Sequence, residues 1–173
     1  MSIIVGYDPV TLREKVDDDA LLERLDEISP LRSSTALNEK VGLLRLAGRL
    51  EDAWDVANEA VRQARFGGDR EQLALARMRR AQVQQFLGKL DAALIELNDC
   101  ITEAHAHDWA SAEAFGLQHR GKVNFELREF DAALRDFRDA LTIRVRIKSS
   151  PEQIDSSMIA IAVVESFIDG GES

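Results

Sequence analysis

The sequence has few of the residues from which disulfide scaffolds, membrane spans and catalytic centres are built. Of its 173 residues only one is a cysteine, Cys100, so an internal disulfide and the small disulfide-rich class are excluded. It contains no run of 18 apolar residues, and its start at Met1 lacks the basic flank and apolar core of a signal peptide. We therefore predict a soluble, cytoplasmic protein that does not enter a membrane, with a single core or one short repeat array.

The charge is acidic and unevenly distributed. With 31 acidic and 22 basic residues the net charge is -9, which argues against a nucleic-acid partner. Residues 1–29 hold eight acidic and three basic side chains, and 149–173 hold five acidic and no basic ones. The stretch between them carries +1, so the excess acidity sits at the two ends. This division suggests that an acidic terminus competes with partners for a basic binding surface.

The sequence repeats itself every 40 residues. The segments 47–54, 87–94 and 127–134 align, and small residues recur at matching positions, as close helix packing requires. Each repeat is predicted to contain two helices, which we call its first and second helix. The matching sets are a small residue in the first helix (Val41, Ala81, Gly121), a turn glycine (Gly48, Gly88), a large apolar residue (Leu50, Leu90, Phe130) and an alanine of the second helix (Ala53, Ala93, Ala133).

This pattern resembles the tetratricopeptide repeat (TPR) family, in a long-helix variety with a 40-residue period. The resemblance implies an all-α fold in which three helix pairs form a right-handed α-α superhelix, or solenoid, with capping helices at both ends. The predicted units are an acidic N-terminal lead with a capping helix (1–29), three repeats (30–69, 70–108 and 109–148) and an apolar C-terminal capping helix with a tail (149–173).

Capping residues and spacing predict the helix boundaries. First helices should start near 30, 70, 109 and 151, with Asp69, Asp108 and Ser150 as caps. Second helices are predicted at 51–66, 91–106 and 131–147, and no strand is predicted between 10 and 169. Apolar residues at helical spacing predict an N-terminal helix over 9–28, broken near 17–19; a partly disordered acidic lead is the alternative.

The last predicted helix is apolar on every side. From Met158 to Ile168 only Glu165 and Ser166 are not apolar, and a helix of this kind is normally buried. One interpretation is a homodimer in which this helix packs on its twin; the other is that the helix folds back over its own repeats. The predicted oligomer interface consists of Met158, Ile161, Val164, Phe167 and Ile168.

Little in the sequence indicates catalysis, so we predict no enzyme, no catalytic residue, no cofactor and no metal. A metal site around His105, His107 and Asp108, or on the face shared by Asp99, Glu103 and His107, is a remote option. Cys100 aligns with alanines in the sister repeats, which indicates a small core residue.

In the TPR family the first helices line the concave groove. The implied groove positions carry basic, amide and apolar side chains, which suit a protein or peptide partner with acidic groups. The predicted function is a protein-protein interaction or scaffolding module; the alternative is a regulatory or peptide-sensing subunit, acting as a homodimer, whose groove holds a small peptide or its own tail. The predicted groove residues are Asn38, Arg45, Met78, Arg79, Gln82, Gln118, Lys122 and Phe125.

A basic residue also repeats in the first helices, at Lys40, Arg80 and Arg120. These basic residues either bind a ligand or form ion pairs with acidic residues of the second helices. We favour pairing within each repeat, which contributes about 0–1 kcal/mol for an exposed pair.

Overall fold

Residues 2–170 fold into a two-stranded antiparallel hairpin followed by eight helices, most of which pack in sequence order. The computed structural model describes these residues; Met1 and the predicted tail at 171–173 lie outside the described residues. The elements are β1 (Ile4–Tyr7), β2 (Glu14–Val16), α1 (Asp18–Ile28), α2 (Ser34–Leu46), α3 (Leu50–Gly67), α4 (Arg70–Phe86), α5 (Leu90–Ala106), α6 (Ala110–Glu126), α7 (Phe130–Arg146) and α8 (Pro151–Gly170). From α2 onward each helix contacts the next, and α4 also contacts α2 and α6.

The 40-residue period of the sequence is also the period of the helices. Helices α3, α5 and α7 begin at Leu50, Leu90 and Phe130, close to the predicted starts. A residue with left-handed backbone conformation ends each helix from α2 to α7, and it satisfies carbonyls at the helix end. These residues lie 20 apart along the chain: Gly48, Gly68, Gly88, Asp108, Arg128 and Lys148.

Small residues occupy the places where helices meet, as the repeat predicted. Ala53, Ala93 and Ala133 are fully buried. At Gly121 the helices approach closely, since a Cβ added there would lie 2.6 Å from a ring carbon of Phe137. Because Gly121 of α6 has no side chain, Phe137 of α7 fits against it.

The repeated basic residues mainly serve the repeats themselves. Arg80 pairs with Glu96 of the next helix, and Arg120 pairs with Asp136 in the same way. This confirms the predicted pairing for two of the three positions. Lys40 differs, because its ammonium donates to two backbone carbonyls of the loop before α2, those of Ser29 and Leu31.

Two of the predicted caps are confirmed. The Asp69 carboxylate accepts a hydrogen bond from the backbone N–H of Gln72 at 3.1 Å, and the hydroxyl of Ser150 lies 3.4 Å from the N–H of Gln153. The predicted start near 30 is displaced, since Ser33 caps α2. Asp108 was predicted as a cap but is instead the left-handed residue before α6.

The N-terminal prediction is wrong in its first half. Only residues 18–28 are helical, and the segment before them pairs β1 with β2, contrary to the prediction of no strand beyond residue 10. Asp8 holds the connecting turn, because one carboxylate oxygen accepts the N–H groups of Val10 and Thr11 at 2.9 and 2.8 Å. Local turn chemistry outweighs the helical spacing of the apolar residues here.

The C-terminal helix folds back over its own chain. Its residues Ala160 and Val164 are buried in a cluster that includes Phe125 and Phe137. Phe167 packs edge-on against Phe125, with ring centroids 5.2 Å apart. Within residues 2–170 no helix is long and apolar enough to cross a membrane.

Most of the predicted oligomer-interface residues pack on their own chain. Val164 has no exposed surface, and Phe167, Ile161 and Ile168 are partly buried against the same cluster. Met158 is 54% exposed and faces solvent. Four of the five residues therefore have contacts within the chain, and the homodimer through this helix stays a prediction.

Candidate binding cavity

A cavity of about 550 Å³ lies between the N-terminal hairpin and the helices α2, α4, α6, α7 and α8. We call it the hairpin cavity. Its walls combine apolar side chains with four cationic ones, and three of its lining residues (Ile4, Tyr7 and Glu14) come from the hairpin. Six of the eight predicted groove residues meet here: Asn38, Arg45, Arg79, Gln82, Gln118 and Lys122.

The other two predicted groove residues lie elsewhere. Met78 is fully buried in the helix core, where its terminal methyl would lie 2.9 Å from a Cβ added at Gly116. Phe125 is also buried, and it borders a separate cavity of about 410 Å³ beside Phe130 and Phe167. Neither side chain can serve as the apolar anchor in the hairpin cavity that the sequence suggested.

Glu14 is the anion that the hairpin places against the cationic wall. One of its carboxylate oxygens lies 3.0 Å from Nζ of Lys122, and the other lies 3.3 Å from Nη1 of Arg45. All three side chains are at least 90% buried. Burial alone would raise the pKa of Glu14, but the two cations outweigh it and hold the pKa well below its usual range.

The cationic wall is strongly desolvated. Burial lowers the pKa of Lys122, although the attraction of Glu14 opposes this effect. Burial also lowers the pKa of His119 well below 6.5, and the nearby charges of Lys122 and Arg45 act in the same direction. His119 is therefore a neutral imidazole at neutral pH, and its ring nitrogens lie 2.9 Å from the side-chain amide of Gln82.

Further contacts hold the hairpin in place. Leu12, which has a left-handed backbone with φ of 56°, is buried in the cluster of the C-terminal helices. The guanidinium of Arg13 lies over the ring of Phe86 and pairs with Glu126 at 3.3 Å. Arg45 lies over the same ring at 4.6 Å. A strained, buried leucine and the stacked Arg13 thus tie the turn to the helices, and Arg45 reaches the same ring from α2.

Arg79 and Arg144 differ from the other two cations because no carboxylate pairs with them within residues 2–170. Arg79 lies 5.2 Å from the ring centroid of Phe115 and makes no hydrogen bond to any described residue. Arg144 donates through Nη1 to three neutral oxygens, those of Gln118, Gln153 and Ser157. Burial lowers the pKa of both guanidinium groups.

Sequence reasoning missed Tyr7, Glu14 and Arg144. Arg144 belongs to a second helix, and the family resemblance directs attention to the first helices. For Glu14 a signal was available, since apolar Leu12 and Val16 flank it at the spacing of a strand. That alternation covers only five residues, and the helical spacing over 9–28 is longer.

The remote metal option finds no geometric support. Among residues 2–170 no three His, Cys, Asp or Glu side chains lie together as metal ligands would. His105 contacts Glu113 at 2.9 Å, and the ring of His107 stacks on Trp109. Cys100 is fully buried, and burial raises the pKa of its thiol to about 11.

No protein-family model matches the sequence, and no curated protein does so. Fifteen chains of solved structures resemble the fold. One is the crystal structure of BtubC (BKLC) from P. vanneervenii, which is 17% identical with a TM-score of 0.63. The match covers 86% of this chain and 64% of that one, so this chain spans less than two thirds of its neighbour. At this identity the likeness concerns the helical, repeat-like fold alone.

Proposed function

We propose that this chain is a tetratricopeptide-like binding module that takes an acidic peptide segment on the face formed by α2, α4 and α6. The 40-residue period and the small residues at matching positions support three helix pairs between 30 and 148, with a capping helix on each side. In this proposal the module scaffolds or captures a protein partner in the cytoplasm. It needs no catalytic residue and no cofactor.

One observation supports the proposal: the chain already places a carboxylate-bearing segment of its own, the β1–β2 hairpin, on this face. Residues 4–7 and 14–16 form its two strands, and Glu14 of the second strand pairs with Lys122 and Arg45. The position of Glu14 supports a ligand of similar chemistry, namely a peptide backbone that carries a carboxylate toward these two cations. A partner peptide with the same chemistry would compete with it.

The same contact favours a second candidate function, a regulatory subunit whose groove is closed by its own segment. In that case release of the hairpin is the regulated event, and the exposed side of α8 at Met158 is available to a second copy. Both candidates require that the face select a carboxylate, so one experiment tests their common premise.

The test uses the hairpin as its own ligand. A fluorescent peptide of residues 3–17 is titrated against the full chain carrying Glu14→Gln, in which the tethered segment has lost its carboxylate. We expect the peptide to bind this variant at least about tenfold more tightly than the wild-type chain, where the tethered hairpin competes at a high effective concentration.

A matched peptide with Gln at the Glu14 position provides the control. It should bind the Glu14→Gln chain at least about tenfold more weakly than the peptide with Glu at that position, because it lacks the charge that faces Lys122 and Arg45. Equal binding of the two peptides would contradict an acidic-peptide function for this face.

A further inference from the structure

The hairpin leaves much of its cavity open. With residues 4–16 in place the free space is about 550 Å³, within the range of small-molecule sites. An adjoining recess of about 190 Å³ is bordered by Arg79, Arg144, Phe115 and Gln153. The helices and the hairpin together therefore border an open space that a compact ligand could occupy without displacing Glu14.

The charges on the wall of this space are not balanced. Glu14 serves Arg45 and Lys122, and the carboxylate of Glu39 is held by Arg24 at 2.6 Å. Two guanidinium groups, Arg79 and Arg144, are left without a carboxylate inside the described part of the chain. The remaining acid on the wall, Glu152, is exposed and forms no ion pair with residues 2–170.

Two buried polar atoms on the wall of the hairpin cavity also lack a hydrogen-bond partner among residues 2–170. Gln118 is only 2% exposed and lines the hairpin cavity, yet its Nε2 has no acceptor among residues 2–170. In Asn38 the carbonyl oxygen Oδ1 is likewise buried without a donor. A buried donor and a buried acceptor left unpaired are costly, and a ligand with complementary groups would satisfy both.

We propose that the hairpin cavity is a binding site for a small carboxylate, held by Arg79 and Arg144 with the amide of Gln118 as a further donor. A guanidinium pairs with a planar carboxylate through two parallel hydrogen bonds. Leu75 and Phe115 on the same wall suit an apolar group, and Asn38 suits an amide N–H. The expected ligand is thus a compact acid that also bears an amide and an apolar portion. This site exists with the hairpin closed, so it does not depend on the proposed peptide function.

Hippurate (N-benzoylglycine) is a probe with these three groups, and its neutral primary amide is the matched control. Both are titrated into the wild-type, ¹⁵N-labelled chain, with the backbone and side-chain amides followed by NMR. Hippurate should shift the side-chain amide resonances of Gln118 and Asn38, while Tyr7 stays paired with Glu14 in the β1–β2 ladder. The neutral analogue should bind at least about tenfold more weakly, because it lacks the charge that the arginines recognise.

One variant tests whether Arg79 binds hippurate, and a second variant is its control. Arg79→Gln should raise the dissociation constant for hippurate about tenfold or more, and it should fold normally since Arg79 makes no hydrogen bond to described residues. Arg146→Gln removes the same charge from an exposed position of α7 and should leave the constant within about twofold.

Absence of hippurate shifts at millimolar concentration, equal binding of the neutral analogue, or undiminished affinity of Arg79→Gln would each overturn the proposal. Because the wild-type chain with its closed hairpin is used, these outcomes are separate from the peptide experiment on the Glu14→Gln chain.

Discussion

Glu14 lies 3.0 Å from Nζ of Lys122, although 108 residues separate the two in the sequence. The contact joins the N-terminal hairpin to α6. It is buried, and a second cation, Arg45 of α2, also pairs with Glu14. The N-terminal hairpin is therefore an integral part of the inner face, by which we mean the surface formed by α2, α4 and α6.

The Glu14 contact predicts the behaviour of a neutral variant. Glu14→Gln leaves Lys122 and Arg45 buried without a compensating charge, which should weaken attachment of the hairpin by about 3 kcal/mol. Hydrogen exchange at the amides of the β1–β2 ladder should accelerate by about two orders of magnitude, while the helices α4 to α6 keep their protection. Glu23→Gln, at an exposed position of α1, is the control and should leave the ladder unchanged. Unaltered ladder protection in Glu14→Gln would show that the ion pairs do not hold the hairpin.

His119 predicts a dependence of stability on pH. Its pKa in the folded chain lies well below the unfolded value of 6.5, because burial and two nearby cations disfavour the imidazolium. A lowered folded pKa stabilises the protein above the unfolded pKa and ceases to do so as the pH falls. Between pH 6.5 and about pH 5.5 the free energy of unfolding should therefore drop by about 1 kcal/mol on account of this residue.

Urea unfolding at the two pH values, with His119→Gln as the test variant, measures this contribution. The variant should lack the drop, whereas His105→Gln, which removes an exposed histidine beside Glu113, should retain it. If His119→Gln shows the same loss of stability as the wild type, the charged form of His119 is tolerated in the fold.

Two glycines should respond to alanine in opposite ways. In Gly121→Ala the new methyl would lie 2.6 Å from a ring carbon of the fully buried Phe137, so the variant should lose about 2 kcal/mol through overpacking. Gly42 sits inside α2 with no atom within 4 Å of an added Cβ, and Gly42→Ala should gain about 0.5–1 kcal/mol from helix propensity. Denaturant midpoints measure both; a stable Gly121→Ala would mean that the α6–α7 contact relaxes freely.

The inner face was largely predictable because its residues follow the repeat. Arg45 and Lys122 were both named from their position in a first helix, and the structure brings them to one cavity. Met78 was misplaced because a helix position only one residue from Arg79 already points into the core. The repeat period identifies the helix to which a residue belongs. An error of one residue in the assumed orientation of that helix is enough to assign a core residue to the groove.

The C-terminal helix illustrates a different limit. Its apolar residues on every side indicated that it should be covered, but the sequence could not say by what or on which side. Ala160 and Val164 are buried, whereas Met158 and Ile159 are 54% and 40% exposed. Phe125, Phe130 and Phe167 meet in space from three helices, and that aromatic contact fixes α8 on its own chain. Hydrophobicity is non-directional, so it predicts burial without naming the partner.

The sequence by itself determined the helices and their 40-residue spacing, because helix propensity, capping and small-residue packing act over a few residues or between neighbouring helices. Only the tertiary structure decided where the N-terminal acid lies. Glu14 enters the inner face because a buried carboxylate there offsets two desolvated cations that come from distant helices, and no local pattern records that pairing. The same long-range arrangement leaves Arg79 and Arg144 without a carboxylate partner among residues 2–170, and it thereby defines the site for a ligand.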